Sequence, residues 1–162
     1  DLNRQDPAKG LMRTNEILGR DTHSDLFVTV FYAIWNPQTR LLSFANGGHN
    51  PPILLRENGR SQLLTGEGMA LGVLPKIEVV KNAVKVGQGD TLVFYTDGVT
   101  EAMNEDYDEF GMERLHHTIR AHKHQDATSI VNAITTAIAD HAGETPQSDD
   151  ITLVVMKTAS SS

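Results

Sequence analysis

The chain has 162 residues, a formal net charge of −7 and no cysteine. That length suits one domain with a real core and is short for two. The acidic balance, with no Lys/Arg cluster to break it, excludes nucleic acid as the main partner. The lack of thiols excludes disulfides and thiolate metal sites, and fits a reducing, cytoplasmic setting. No apolar run approaches the roughly 20 residues that span a bilayer, and Asp1–Asp6 has no signal-peptide character. Carboxylates in excess without thiols favour hard, oxygen-ligated cations.

Asp6-Pro7 predicts a helix start, with Asp as cap and Pro at the first helical position. Ala8, Leu11, Met12, Asn15 and Leu18 fall near one face with Ile17 adjoining, and Gly19 reads as the stop. Phe27–Trp35 and Arg40–Ala45 read as a hairpin around the turn Asn36-Pro37-Gln38-Thr39. Asn46-Gly47-Gly48-His49-Asn50-Pro51-Pro52 is dense in residues that fix unusual backbone angles. A second hairpin joins Ile53–Arg56 to Ser61–Leu64 through Glu57-Asn58-Gly59-Arg60. Gly66–Pro75 reads as a glycine-rich loop and Ile77–Val86 as a strand. Gly87-Gln88-Gly89-Asp90 turns the chain into Thr91–Thr96, an apolar run of the kind buried on both sheet faces. Helices are predicted over Met112–Lys123, with Leu115 and Ile119 inward, and after the cap Asp126, with the stripe Ile130, Val131, Ile134, Ala137 and Ile138. Ile151–Met156 reads as a last buried strand, and residues 159–162 as a flexible tail. Strands grouped before helices point to α+β with a mainly antiparallel sheet, not a doubly wound one.

Asp97 stands where the buried run ends. A carboxylate at the end of a buried strand is costly unless a cation joins it, and Gly98 lets the backbone turn or a ligand approach. Asp149 and Asp150 stand before the last strand as Asp97 stands after its own. If the two strands are antiparallel neighbours, the carboxylates meet at one sheet edge, where repulsion calls for a cation. Mg²⁺ or Mn²⁺ suits such an all-oxygen site and supports water activation and phosphoryl transfer. The plainer alternative is that Asp-Gly forms a common turn and the Asp pair caps a loop. His49 reads either as a general acid or phosphate contact, or as a residue that joins Asn50 in holding its loop through backbone hydrogen bonds; residue chemistry favours the second. His23, His116, His117, His122, His124 and His141 show no ligand-like pairing. Glu105–Glu109 lacks the ligand spacing of a calcium loop and reads as solvated.

Six segments in order carry a resemblance: Leu26-Phe27-Val28-Thr29-Val30-Phe31-Tyr32, Asn46 to Pro52, Gly72-Val73-Leu74-Pro75, Gly89 to Ala102, Phe110-Gly111 and Asp149-Asp150-Ile151-Thr152-Leu153. Together they resemble the metal-dependent PPM-type protein serine/threonine phosphatases, in the bacterial branch of the sporulation stage II E and sigma-regulator phosphatases. The resemblance covers about Asp6 to Lys157. It implies an antiparallel β-sandwich flanked by helices, with two Mn²⁺ or Mg²⁺ ions at one end. It carries the family's metal ligands onto Asp97 and Asp149, with Gly98 where the backbone passes the metals and Asp150 as a neighbour of the metal set. His49 and Asn50 are the substrate-binding candidates. It implies direct attack of a metal-bound water on phosphoserine or phosphothreonine, without a phosphoenzyme.

The family's first motif, an Asp-Val-Ser-Gly-His-Gly-like segment that bridges the metals, has no counterpart here. Asp1, Asp6 and Asp21 do not sit in a matching context. The expectation is therefore one partial phosphatase domain over residues 1–158, N-terminally truncated, with weak or single metal occupancy and little turnover. The implied partners are a phosphorylated regulatory protein of the anti-sigma-factor-antagonist type, and a sensory or receiver domain upstream. Strand edges exposed by an incomplete sandwich add a homodimer that pairs or swaps strands. Two rival functions stand beside this one: a catalytically incomplete module that binds a phosphoprotein, and a metal-dependent hydrolase of small phosphoesters.

Overall fold

The computed structural model describes residues 6–21 and 27–159, with Arg20 and Asp21 described by their helical placement alone. His23, Leu26 and the tail from Ser160 lie outside the described residues, as does Asp1. In chain order the elements are α1 (Pro7–Asp21), β1 (Val30–Asn36), β2 (Leu41–Gly47), β3 (Ile53–Leu55), β4 (Ser61–Leu63), β5 (Asn82–Lys85), β6 (Thr91–Tyr95), α2 (Asp97–Thr100), α3 (Gly111–Ala121), α4 (Ala127–Ala142) and β7 (Leu153–Lys157). Every strand pairing is antiparallel. Helices and antiparallel sheets make the class α+β, as the element order predicts. The chain divides into two compact units, Asp1–Pro51 with Leu64–Val86, and Pro52–Leu63 with Gly87–Ser162.

In the first unit, β1, β2 and β5 form a three-stranded sheet in that order. The Asp6 carboxylate accepts from the amides of Ala8 (3.1 Å) and Lys9 (3.2 Å), which caps α1 as expected. The helix runs past Gly19 to Asp21, so Gly19 is not its stop. Ala8 and Leu11 bury against Ala45, Leu71, Ile77 and Val79, while Ile17 is exposed. Asn15 shares the buried face because both ends of its amide are hydrogen-bonded: it accepts from Gly72 N (2.8 Å) and donates to the Leu74 carbonyl (3.0 Å). The expected strand over Ile77–Val86 contracts to the four residues of β5. Ile77 and Val79 are buried as irregular chain, which hydropathy alone does not distinguish from strand.

The second unit holds a four-stranded sheet in the order β4-β3-β6-β7. Ile53, Leu55, Val93 and Tyr95 face a core built with Val99, Phe110, Leu115, Ile119, Ile130, Ile134 and Ile138. The inward residues of α3 and α4 are those the 3.6-residue period selects, except Val131, which is half-buried and outside this core cluster. Leu92 and Val93 are both fully buried, so β6 is covered on both faces as its unbroken apolar run predicts. β7 departs from expectation. It is the edge strand, and Val154 is 55% exposed, so the last strand is only partly buried.

The opposite end of β6 is tied by Asp90. Its side chain accepts from Arg56 Nη1 (2.8 Å), Glu57 N (3.0 Å) and Gly87 N (2.7 Å), and its carbonyl accepts from Thr158 N (3.1 Å). The buried carboxylate thereby joins the β3–β4 hairpin to the turn before β6, and the carbonyl of the same residue holds the chain after β7.

Candidate functional site

The site is built where β6 ends. β6 and β7 pair from Thr91↔Lys157 to Tyr95↔Leu153, so the strands before Asp97 and after Asp150 are antiparallel neighbours. The ladder continues one residue further, with Thr96 N donating to the Thr152 carbonyl at 3.1 Å. The Thr96 hydroxyl then closes the corner. It donates to the Asp150 carbonyl (2.9 Å) and accepts from Thr152 N (2.9 Å).

Beyond Thr96 the chain leaves the sheet into α2, a single turn. The Asp97 carbonyl accepts from Glu101 N (2.8 Å) and from the Thr100 hydroxyl (3.2 Å). Gly98 is buried, and a Cβ there would sit 2.6 Å from the Asp150 oxygen and 3.3 Å from the Asp149 oxygen. The two backbones therefore meet as closely as glycine allows. Asp97 itself is exposed, as are Asp149 and Asp150. This corrects the sequence expectation of a buried charge at a strand end. β6 stops at Tyr95, two residues earlier, and the buried member of the Asp-Gly pair is the glycine.

Each candidate ligand spends one carboxylate oxygen on a neighbouring amide: Asp97 accepts from Gly98 N (3.1 Å), and Asp149 from Asp150 N (2.7 Å). The Asp149 carbonyl accepts from the Gln147 amide at 2.6 Å. Among the described residues, no group of three or more His, Cys, Asp or Glu is arranged to hold a metal. The donor chemistry nevertheless fits Mg²⁺ or Mn²⁺, which take carboxylate oxygens, often only one or two, and keep several waters. A cavity of about 290 Å³ adjoins this corner, bounded by Gly98, Met103, Ile138, Ala142, Gln147 and Ile151.

His49 and Asn50 lie in the first unit, after β2. The Asn46 side chain shapes their loop, donating to the His49 carbonyl (2.8 Å) and accepting from His49 N (2.8 Å). Gly48 sits at φ 76°, with a hypothetical Cβ 2.9 Å from Ala70 N. The His49 Nδ1 is 3.2 Å from the Thr29 hydroxyl. The loop is thus held chiefly through Asn46, which the sequence reading did not single out.

The other described histidines make local contacts. His122 Nδ1 is 2.9 Å from the Thr118 carbonyl at the end of α3, and His141 Nε2 is 2.9 Å from the Asp108 carbonyl. Burial, with the Arg120 charge beside it, holds the His116 imidazolium below its ordinary range. The Asn104 side chain accepts from Asp106 N and Asp108 N and turns the acidic loop.

Thr96, Asn46 and Asp90 are the residues that sequence reasoning missed. Thr96 and Asp90 act across long sequence separations that no local pattern encodes. Asn46 had a local signal, an Asn three residues before the constrained His.

The fold is that of the PP2C-type phosphatase domains. The chain superposes on the SiaA PP2C domain of Pseudomonas aeruginosa with a TM-score of 0.84 at 24% identity, covering 94% of this chain and 61% of that one. For the Mn-presoaked phosphatase domain of the cell fate determinant SpoIIE from Bacillus subtilis, the TM-score is 0.67 at 20% identity, covering 94% and 65%. The chain belongs to the stage II sporulation protein E (SpoIIE) family, whose profile matches residues 2–159. Protein IcfG of Synechocystis sp. is 31% identical over 145 residues, which are 88% of this chain and 23% of that protein. The phosphoserine phosphatase RsbU of Bacillus subtilis is 25% identical over 154 residues, 93% of this chain and 45% of that protein. The chain thus spans less than half the length of either curated relative. Among the described residues, no helix is long and apolar enough to cross a membrane.

Proposed function

We propose that this chain is part of a single phosphoprotein phosphatase domain that removes phosphate from serine or threonine of a regulatory protein. The observation that carries the reading is the β6–β7 register, which brings Asp97 and the Asp149-Asp150 corner to one sheet edge. In this reading Asp97 and Asp149 hold Mn²⁺ or Mg²⁺, Gly98 lets their backbones close together, and Asp150 supports the corner through its carbonyl. The ions, when bound, neutralise phosphoryl charge and acidify water. Two ions are the full complement the family resemblance implies. His49 and Asn50 serve the phosphoprotein substrate, an anti-sigma-factor-antagonist type of protein. The setting is cytoplasmic, within a larger signalling protein that carries a sensory or receiver domain, and a homodimer is its expected assembly.

Titration calorimetry with Mn²⁺ and a phosphoserine-peptide assay test this together. Asp97→Asn and Asp149→Asn should each weaken Mn²⁺ binding by tenfold or more, and the residual hydrolysis of the chain should fall with it. Unchanged Mn²⁺ affinity in both variants rejects the metal assignment. A second reading, a phosphatase-fold module that binds a phosphoprotein without hydrolysing it, draws support from the small carboxylate set at this corner. It predicts Mn²⁺-dependent peptide binding with no phosphate release.

A further inference from the structure

We infer that Thr96 is the positioning residue that sets the geometry of the Asp97 and Asp149 carboxylates, an inference that rests on the metal reading above. The two carboxylates come from segments more than fifty residues apart, and each is exposed. Exposed carboxylates on a sheet corner have no packing of their own to fix their separation. What joins the segments is backbone, and Thr96 supplies three of the hydrogen bonds there. Its amide donates to the Thr152 carbonyl (3.1 Å), its hydroxyl accepts from Thr152 N (2.9 Å), and the same hydroxyl donates to the Asp150 carbonyl (2.9 Å).

The hydroxyl bonds have a chemical requirement. One oxygen must accept from an amide on one side and donate to a carbonyl on the other, which only a hydroxyl does at this size. Between those two contacts the chain runs from Thr152, just before β7, back to Asp150 and the bend at Asp149. Without the hydroxyl, Asp150 loses its tie to the residue that precedes Asp97, and the corner keeps the Gln147 bond to the Asp149 carbonyl, the Thr96–Thr152 backbone bond and the close approach of Gly98. The backbone amide bond of Thr96 survives any substitution but proline. The hydroxyl is therefore the separable part of the clasp.

The test compares Thr96→Val, which keeps the shape and deletes the hydroxyl, with Thr96→Ser, which keeps the hydroxyl and deletes a methyl group. Mn²⁺ affinity is measured by calorimetry, with Asp97→Asn as the reference variant. Loss of a group that orients metal ligands typically lowers metal affinity about 10–100-fold, and Thr96→Val should fall in that range. Thr96→Ser should stay within about threefold of the parent chain. Hydrogen exchange gives a readout that needs no metal: the Thr152 amide should be protected in the parent chain and in Thr96→Ser, and should exchange faster in Thr96→Val or Thr96→Ala. Parent-like Mn²⁺ affinity in Thr96→Val, with Asp97→Asn weakened, overturns the positioning role and leaves the metal reading standing. Equal loss in the Ser and Val variants assigns the effect to methyl packing and also overturns it. A Thr152 amide unprotected in the parent chain removes the clasp itself. An Asp97→Asn variant that binds Mn²⁺ as the parent does removes the metal reading, and this inference with it.

Discussion

A methyl group at Gly98 would stand 2.6 Å from the Asp150 carbonyl oxygen and 3.0 Å from its carbon. Both atoms are backbone, so no side-chain rotation relieves the clash. Gly98 also lies in α2, where alanine would otherwise gain up to about 1 kcal/mol of helix propensity. Overpacking a buried contact costs about 1–3 kcal/mol, so the steric effect should win. Gly98→Ala is expected to lower the melting temperature by several degrees and to weaken Mn²⁺ binding, because the corner that must yield carries Asp149 and Asp150. Thermal unfolding and a Mn²⁺ titration check both parts, and a stabilised variant would show that propensity wins. At this scale the sequence was partly legible. The Asp-Gly pair is visible in the sequence, and Asp97 and Asp149 share an edge because their strands are antiparallel neighbours. The energetic reason for the pair is not visible there. Hydropathy alone does not show that β6 ends at Tyr95, so Asp97 looked buried when the buried residue is Gly98.

The elements were legible where a local device sets them. Asp6 and Asp126 cap their helices as read, and the Asn58-Gly59 turn closes its hairpin with Gly59 at φ 85°. Asp126 yields a pH prediction. The Ser129 amide donates to its carboxylate (2.8 Å) and holds its pKa below the ordinary value. The carboxylate is ionised in both folded and unfolded chains above the usual Asp range of about 3.9, and the cap is then at full strength. As pH falls through that value the unfolded chain takes up its proton first, so stability declines until the folded carboxyl is protonated too. Asp126→Asn keeps an acceptor for Ser129 N and loses the titration. Below pH 5 its melting temperature should fall less steeply than the parent's; parallel curves would show that Asp126 does not contribute. Boundaries set by tertiary contacts were less legible. α1 runs through Gly19, and Ile77 and Val79 lie outside β5 because burial against Ala8 and Leu11 does not require a ladder. β7 reads as buried because its residues are apolar, yet it is a sheet edge.

At the scale of the molecule, the charge is unevenly placed. Two thirds of the carboxylates belong to the second unit, while the basic residues divide almost evenly between the two. The unit that carries Asp97 and Asp149 is therefore strongly acidic, with the exposed run Glu105, Asp106, Asp108 and Glu109 adding to its field. A phosphorylated peptide approaching such a surface is repelled until cations reverse the local potential. Binding of a phosphoserine peptide should accordingly require Mn²⁺ or Mg²⁺ and vanish in EDTA. The field also separates ligation from long-range attraction. Direct ligands act at contact and are weakly screened, whereas remote carboxylates act over distances comparable to the Debye length, about 10 Å at 0.1 M salt. Converting Glu105, Asp106, Asp108 and Glu109 together to their amides leaves the proposed ligands intact and removes only remote charge. That variant should bind Mn²⁺ a few-fold more weakly than the parent at 20 mM salt, and the two should converge at 500 mM. A difference that persists at high salt would place one of these four carboxylates among the direct ligands. No difference at low salt would show that the field of this unit does not reach the proposed metal corner, leaving Asp97 and Asp149 to attract the cation alone.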